Sequence, residues 1–590
     1  MKISINSLNG SLIEGSANYT IKGCEVGTNF LVFGSPILFQ TNPFNLSNLD
    51  AKYHSISEII PFITGDYLII EQKNEKVVAF AVDFFGHSRF YFSISKGGTI
   101  TLSNLVDDVK TESYNYDYYQ ILHFLLKGYT WKGGTFLNNI KIVSPSINYL
   151  LYENGVKEET IKIPKFNNDN SLEDQVSKVL KAISETEHGK EINLMFSGGK
   201  DSTFIALLLN DLGLRFNAIY NKYTSPTFSL NAIDALLSSN VATSQGFKYT
   251  ELNNNARQDI KNYVLKTIKL LPFEFHTSIA QRNIIEYALS SDSKIMLTGQ
   301  NADSLYNFGF TGTYTHYKAI IKFLIGKLKR EEYENFVNRY FQSDRVLKSI
   351  ADNTPSRLTK LIWKKFNPDE PITLKQLLNI FTFNGTAIPT ISWKRMELIT
   401  SIKGRDFVYR RNEKEISKLI VEFENRNIDS LRELLLRIKL LGHCQGKDVR
   451  CITEWCREYG MKNVQIYSAS PVFLKLVKLP ISFKDIYQPK YLIYNFIKKR
   501  VNYDQIDKLV QKQFDNNTEV ENENELFTEL LNQLDNEIVK SGIHNALTIM
   551  KMSDLFDIEH IENKAEVDKV FRLQLFWLGT SLMNLTQTTN

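Results

Sequence analysis

The sequence predicts two regions of different class: an α+β region built on antiparallel sheets, then an α/β region with a parallel sheet and a large helical extension. Three observations carry this. Short apolar runs broken by turn residues fill the chain up to about position 160, the apolar period lengthens to that of a helix from Leu172, and beyond Ile192 strand and helix signals take turns. The boundaries read as 1–165 and 166–590, the second region dividing into an α/β core at 172–315 and a mainly helical part at 316–590.

In the first region the runs Phe30 to Phe33, Asp66 to Ile70, Lys76 to Val82, Arg89 to Ile94, Thr99 to Leu102, Ile140 to Val143 and Tyr149 to Tyr152 read as strands. Gly, Asn and Pro turns between them make the sheet largely antiparallel, and a helix near Tyr116 to Leu126 closes one face. The polar stretch Asn167 to Ser171 marks the linker, after which Val176, Val179 and Leu180 define an amphipathic helix. Strands then follow at Ile192 to Phe196, Phe216 to Tyr220, Lys248 to Leu252 and Lys294 to Thr298, with helices at Ala232 to Gln245 and Ile279 to Leu289 between them. From Tyr317 to Arg500 the pattern is mainly helical, with charged faces such as Leu328 to Phe336 and Leu431 to Leu441 that read first as solvated surface. Asp515 to Glu525 is an acidic exposed segment, helices close the chain, and no internal repeat stands out.

The chain's 590 residues allow two or more cores, and 43% apolar with 12% aromatic residues argues that most of it folds. A net charge of +5, from 70 basic and 65 acidic side chains, gives no overall bias toward nucleic acid. Four cysteines, Cys24, Cys444, Cys451 and Cys456, are too few for a disulfide scaffold and suggest a reducing compartment. With His443 the last three form one cluster of metal-ligand types, but it lacks a CxxC pair and reads as structural. Neither a cationic start with an apolar signal segment nor a membrane-length apolar run is present, so the expectation is a cytoplasmic protein without a membrane partner.

The strongest local signal is Ser197-Gly198-Gly199-Lys200-Asp201-Ser202, placed between a buried-strand run and a helix carrying Phe204, Leu207 and Leu208. Two glycines let the backbone approach an anion, Asp201 or Ser202 is expected to cap the helix, and amides at a helix start favour a pyrophosphate. A glycine turn before a helix also serves as plain structure. The string does not match the GxxxxGK[ST] loop of kinases and GTPases, because Lys200 precedes an aspartate and no glycine lies at the required distance upstream. A second signal, Leu297-Thr298-Gly299-Gln300-Asn301-Ala302-Asp303-Ser304-Leu305-Tyr306, follows the next candidate strand. Asp303 at that strand end would face the same crevice as Asp201, and two hard carboxylates there suit magnesium on the phosphates of ATP. An Asx turn capping the following helix is the plainer reading of Asn301 and Asp303.

Together the two strings resemble the synthetase domain of glutamine-dependent asparagine synthetases and their relatives in the ATP pyrophosphatase superfamily, including β-lactam synthetases and lasso-peptide macrolactam cyclases. The family's loop reads Ser-Gly-Gly-x-Asp-Ser, as at 197–202, and its Leu-Ser-Gly-Glu-Gly-x-Asp-Glu-Leu-Phe is matched at 297–306, with Gln300 and Ser304 where the pattern has acids. The resemblance implies ATP and Mg2+ as cofactors, nucleotide contacts from Ser197, Gly198, Gly199, Lys200, Asp201, Ser202 and Gly299, and metal ligation by Asp201 and Asp303. Val241-Ala242 with Asp234 upstream resembles the helix after the second strand. Ser470-Pro-Val-Phe-Leu, Leu479-Pro480 and Lys490-Tyr-Leu-Ile resemble the family's Pro-Phe-Leu-Asp, Leu-Pro and Lys-x-Leu-Leu-Arg series, with Lys475 in place of the aspartate. Gln511-Lys512-Gln513-Phe514 corresponds to the segment with the active-site lysine, making Lys512, then Lys490, and Gln300 the implied catalytic residues.

The resemblance extends to the first region, where Ile63-Thr-Gly-Asp-Tyr and Val82-Asp-Phe-Phe-Gly-His-Ser-Arg-Phe-Tyr-Phe look like two motifs of the family's glutaminase domain, a sandwich of two antiparallel sheets between helices. That domain needs an amino-terminal cysteine as nucleophile, whereas this chain reads Met1-Lys2-Ile3 and its first cysteine is Cys24. What this implies is a ligase that adenylates a carboxylate and passes it to an amine, releasing AMP and pyrophosphate, with ring closure one form of it. The substrates would be a small-molecule or short-peptide carboxylate and an amine; a precursor-processing enzyme as partner and a homodimer stay open. Alternatives are an ammonia-using asparagine synthetase-like enzyme, a catalytically silent ATP-binding scaffold, and a tRNA-modifying ATP pyrophosphatase. The last is opposed by the modest charge and the lack of a CxxC pair.

Overall fold

The structure, a computed structural model, describes residues 2–302 apart from 8–9, 15–18, 23–27, 39–54, 61–62, 88, 112–113, 153–154, 164–169, 225–228, 231, 256–259 and 276–279, and thereafter 305, 329, 331, 398–428, 430, 433, 434, 436, 437, 440, 446–479, 490–502, 528 and 530–586. Alternating apolar runs in the N-terminal region form two antiparallel sheets. The first contains β1 (Lys2–Asn6), β2 (Leu12–Glu14), β7 (Tyr91–Ile94), β8 (Thr99–Ser103) and β9 (Ile140–Ile142) in the order β2-β1-β8-β7-β9. The second contains β3 (Tyr19–Lys22), β4 (Thr28–Leu38), β5 (Ile63–Lys73), β6 (Lys76–Val82), β10 (Ile147–Tyr152) and β11 (Gly155–Thr160), ordered β11-β10-β6-β5-β4-β3. Ile3, Ile5, Ile100, Leu102 and Phe92 of the first sheet pack against Phe33, Leu68, Ile70, Phe80 and Val82 of the second, which makes the pair a sandwich. Helices α1 (Ile56–Ile59) and α2 (Tyr118–Lys127) flank it, α2 capped by Asp117 accepting from the amides of Tyr119 and Gln120.

β5 explains how the sandwich joins the rest. Leu68 and Ile70 point into the sandwich core, while Tyr67 and Ile69 on its other face enter a second core shared with Val176, Leu194, Phe204 and Ile295. A strand buried on both faces reads as a nearly continuous apolar run, and Tyr67-Leu-Ile-Ile is that run.

The C-terminal region begins with α3 (Leu172–Thr186), whose start is fixed by a Ser171–Asp174 capping box. There follow β12 (Ile192–Met195), α4 (Lys200–Asp211), β13 (Phe216–Thr224), the short β14 (Ser229–Leu230), α5 (Ala232–Gln245), β15 (Tyr249–Asn255), α6 (Ile260–Leu270), α7 (Ala280–Ala288) and β16 (Ile295–Thr298). With β17 (Lys462–Gln465), five parallel strands run in the order β15-β13-β12-β16-β17, with β14 pairing antiparallel to the end of β13. Among the described residues, helices after this point are α8 (Ile402–Glu424), α9 (Gly446–Glu458), α10 (Ser470–Val477), α11 (Tyr491–Lys498), α12 (Asn536–Met550), α13 (Ile558–Val567) and α14 (Lys569–Thr586). Ile192, Leu194, Ile295 and Leu297 face the core with α3, α4, α10 and α11, whereas Ile219 and Met296 face α6, α7, α9 and α14. The parallel sheet is thus covered on both sides.

One strand falls where none was expected. The stretch 317–500, read as mainly helical, contains the edge strand β17 (Lys462–Gln465), paired with β16 from Ile295↔Lys462 to Thr298↔Gln465. Its only apolar residue is Val464, and Asn463 is accommodated inside by donating to Thr453 Oγ1 at 2.9 Å, so periodicity gave no signal. Ser470-Pro-Val-Phe-Leu, read as a motif segment, is the first part of α10, with Pro471 in its first turn. Ser470 Oγ instead ties that helix to the sandwich through the carbonyls of Ile60 and Ile63, at 3.2 and 2.7 Å. The linker core 167–169 and the acidic segment 515–525 lie outside the described residues.

Candidate functional site

The Ser197–Gly199 turn leaves the carboxyl end of β12 and feeds α4, the position where open parallel sheets bind ligands. Gly198 has φ +70°, and a Cβ there would lie 2.5 Å from the Ser238 amide nitrogen and 2.7 Å from its Cα. No side chain fits, and the left-handed backbone disfavours one as well. Helix α4 begins at Lys200 with Gly199 as its N-cap and no side-chain cap. The expected cap by Asp201 or Ser202 is therefore not formed: both already lie inside the first turn, and Ser202 Oγ turns back to the Gly199 carbonyl at 3.2 Å. Ser197 Oγ accepts from the Gly199 amide at 3.3 Å, and Thr203 Oγ1 donates to the Gly198 carbonyl at 3.1 Å, which holds the turn in shape. Ser197 and Lys200 are exposed, Gly199 and Asp201 half-buried.

Three distant segments meet at Asp201. Its Oδ2 lies 2.6 Å from Lys490 Nζ, its carbonyl accepts from the Tyr467 hydroxyl at 3.0 Å, and the Gly299 turn presses on it from the end of β16. A Cβ on Gly299 would come within 3.0 Å of the Ser202 nitrogen and 3.3 Å of Asp201 Cβ, so the two glycine turns touch through bare backbone. Lys490 stands just before α11 in a left-handed conformation, φ 58° and ψ 34°, a sparsely populated state for lysine. Gln300 follows Gly299 and is half-buried. Asp201, Ser202, Gly299 and Lys490 thus lie together, with Ser197–Lys200 leading into them along the chain and Gln300 following Gly299, while Asp303 and Lys512 lie outside the described residues.

Positive charge flanks the loop. A cavity of about 320 Å³ beside Lys200 is lined by Tyr494, Lys498, Lys499 and Arg500, with Lys200 Nζ 5.6 Å from the centre of the Tyr494 ring. Sequence reasoning missed Tyr467, because it follows the unseen strand β17, and missed the lysine and arginine lining because a charge run at a helix end looks like surface.

For magnesium, the donor chemistry fits in part. Asp201 is a hard oxygen donor at the mouth of the turn, and Lys490 already holds a counter-charge on it. Among the described residues no three His, Cys, Asp or Glu side chains gather, so most ligands of such an ion would come from nucleotide phosphates. Cys451 and Cys456 are buried free thiols of α9, and burial pushes the Cys456 thiol well up, against any thiolate role. His443 and Cys444 lie outside the described residues.

Residues of the two motifs in the first region make ion pairs with the second. Asp66 of Ile63-Thr-Gly-Asp-Tyr receives Arg457 of α9 at 2.5 and 2.9 Å, and Arg457 also meets Glu454 at 3.0 Å. Arg89 of the second motif pairs with Glu274 at 2.7 Å, both about 2% exposed, and Arg450 joins the same carboxylate. Burial acts to lower the Arg89 guanidinium, yet the Glu274 carboxylate beside it leads the opposing effects and the net shift is upward. Glu454 is pushed up by burial despite Arg457 and Arg89. Cys24 lies outside the described residues.

No protein-family model and no curated protein matches this chain. Among the described residues, no helix is long and apolar enough to cross a membrane.

Proposed function

We propose that the chain is an ATP-dependent, AMP-forming carboxylate–amine ligase resembling the synthetase half of the asparagine synthetase family. The observation that carries this reading is the meeting of Asp201, Lys490 and the Gly299 turn, three features singled out for separate reasons and drawn from positions up to 289 residues apart. A bare helix start, two side-chain-free turns and neighbouring cations together suit a polyphosphate. Asp201 would hold Mg2+ there; when bound, the ion neutralises phosphate charge as pyrophosphate leaves. Lys490 balances Asp201 before the nucleotide arrives and offers its ammonium to the departing phosphates afterward. Lys200 and the cations of the adjoining cavity draw in the polyanion. Orientation of the acyl-adenylate against the amine, with water excluded, supplies the rest of the rate.

A silent ATP-binding scaffold remains a second reading, favoured by Gln300 where the resembled pattern has an acid. Turnover separates the two. With candidate carboxylates and amines, Mg-ATP should go to AMP and pyrophosphate, and an intramolecular substrate should lose about 18 Da as one amide forms. A mass gain matching an added amine supports intermolecular ligation. ADP and phosphate as products contradict the proposal, and ATP binding without turnover of any screened pair favours the scaffold.

A further inference from the structure

Four polar side chains form a line where the sandwich meets the parallel sheet. His87, on the turn after β6, places Nδ1 3.0 Å from Asp83 Oδ1, which also accepts the Phe85 amide at 3.1 Å. The other ring nitrogen, Nε2, lies 2.8 Å from Ser468 Oγ, at the end of the 3-10 turn Ile466–Ser468 that follows β17. Ser468 Oγ lies 3.4 Å from Nδ2 of Asn301, the longest link of the line. Asp83, His87, Ser468 and Asn301 are 3%, 5%, 2% and 6% exposed, so water does not compete for these contacts.

Donor and acceptor chemistry fixes the two ends of the line. A carboxylate only accepts, so His87 Nδ1–H donates to Asp83, while Nε2 meets Ser468 Oγ, whose hydroxyl also has the Gln465 carbonyl at 3.3 Å as an acceptor. Ser468 in turn accepts from the Asn301 amide. The rings of Phe84, Phe85 and Phe473 wall the line, Phe84 and Phe85 each lying 5.0 Å from Phe473, and Phe85 lies 5.9 Å from the His87 ring. Asn301 has φ 69°, in the left-handed region that asparagine enters more readily than other side-chain-bearing residues. It directly follows Gly299-Gln300, and Gly299 touches Asp201 and Ser202.

We propose that Asp83 and His87 are positioning residues: through Ser468 they hold the Gly299–Asn301 turn against the phosphate loop. The first domain then contributes to the site of the second. The catalytic consequence rests on the ligase reading, whereas the hold on the turn does not.

The experiment compares His87→Gln, His87→Asn and Ser468→Ala in the full chain. Glutamine places an amide near the position of Nε2 and keeps the Ser468 contact; asparagine reaches only the Nδ1 side. Hydrogen exchange over 296–302 should accelerate by ~10-fold or more in His87→Asn and Ser468→Ala and stay near wild type in His87→Gln. AMP formation should fall by roughly 10- to 100-fold in the same two variants through kcat. Wild-type exchange in all three would overturn the proposal. So would equal acceleration in His87→Gln and His87→Asn with equal loss of melting temperature, the signature of core packing alone. A wild-type protein that makes no AMP while the exchange pattern holds would remove the ligase reading and leave the positioning role standing.

Discussion

The two regions use the charged residues of their sequence motifs in opposite ways. In the sandwich, Asp66 and Arg89 are enclosed by α9 and by Glu274, with Arg89 and Glu274 almost wholly shielded from water. At the phosphate loop, Lys200 is exposed, Asp201 is half-buried, and the helix start carries no side-chain cap. One region buries the Arg89–Glu274 pair almost wholly, and the other keeps the Asp201–Lys490 pair partly open to solvent beside an exposed Lys200. Motif residues therefore report a site only where their partners leave room for a ligand; elsewhere the same letters mark an interface.

Breaking the crevice should give the largest functional effect. Asp201→Ala or Lys490→Ala should lower AMP formation by roughly 100-fold or more, with circular dichroism and melting temperature near wild type, because neither group belongs to a core. Unchanged turnover in either would place the chemistry elsewhere. Gly198→Ala tests the same crevice without altering charge: the added methyl meets Ser238 backbone at 2.5 Å and should abolish nucleotide binding.

Breaking the sandwich contact should act on stability instead. Glu274→Ala leaves Arg89 and Arg450 without their shared carboxylate, at a cost of ~3–5 kcal/mol seen in chemical denaturation. Retained ATP binding in the surviving folded fraction would sharpen the contrast between the regions. Loss of binding at full stability would erase it.

Acid gives a smaller, graded effect. His123 of α2 donates through Nδ1 to the Tyr129 carbonyl at 2.9 Å, and burial, reinforced by the Lys127 charge, lowers it from 6.5 to about 3. The unfolded chain binds this proton first, so the contribution is fully present above pH 6.5 and is lost as pH falls toward 3. The slope reaches roughly 1.4 kcal/mol per pH unit at most. His123→Gln should flatten the melting temperature against pH between 6.5 and 4; an unchanged slope would assign the acid response to other groups. The exposed pair Lys248–Glu191, at 2.6 Å, should matter least, with Lys248→Ala changing stability by under ~1 kcal/mol.

Much of this was legible in the chain. The alternating runs located the sandwich strands near their observed places, and Ile192 to Phe196 followed by Ser-Gly-Gly gave the strand and the glycine turn that leads into α4, because period and turn chemistry are local properties. β17 was not legible, since the reason Asn463 sits in a sheet is a hydrogen bond to a helix ten residues away. The cap of α4 was misplaced by two or three residues because Asp201 and Ser202 are good capping types, while the helix starts earlier, from Gly199, which has no side chain to cap with. Lys490 was legible as a candidate but not as the partner of Asp201, and the role of Asp66 and Arg89 required knowing that α9 lies against β5 and the Arg89 segment. Long-range charge pairing leaves little trace in sequence order.

The central claim is that the two glycine turns and Asp201 form a nucleotide site, and calorimetric titration with Mg-ATP tests it without any knowledge of the acceptor. Wild type should bind with one-to-one stoichiometry, Gly198→Ala should not bind, and Asp201→Ala should bind at least ~10-fold more weakly, a loss of about 1.4 kcal/mol. Equal affinity in all three proteins, or none in wild type, would contradict the account.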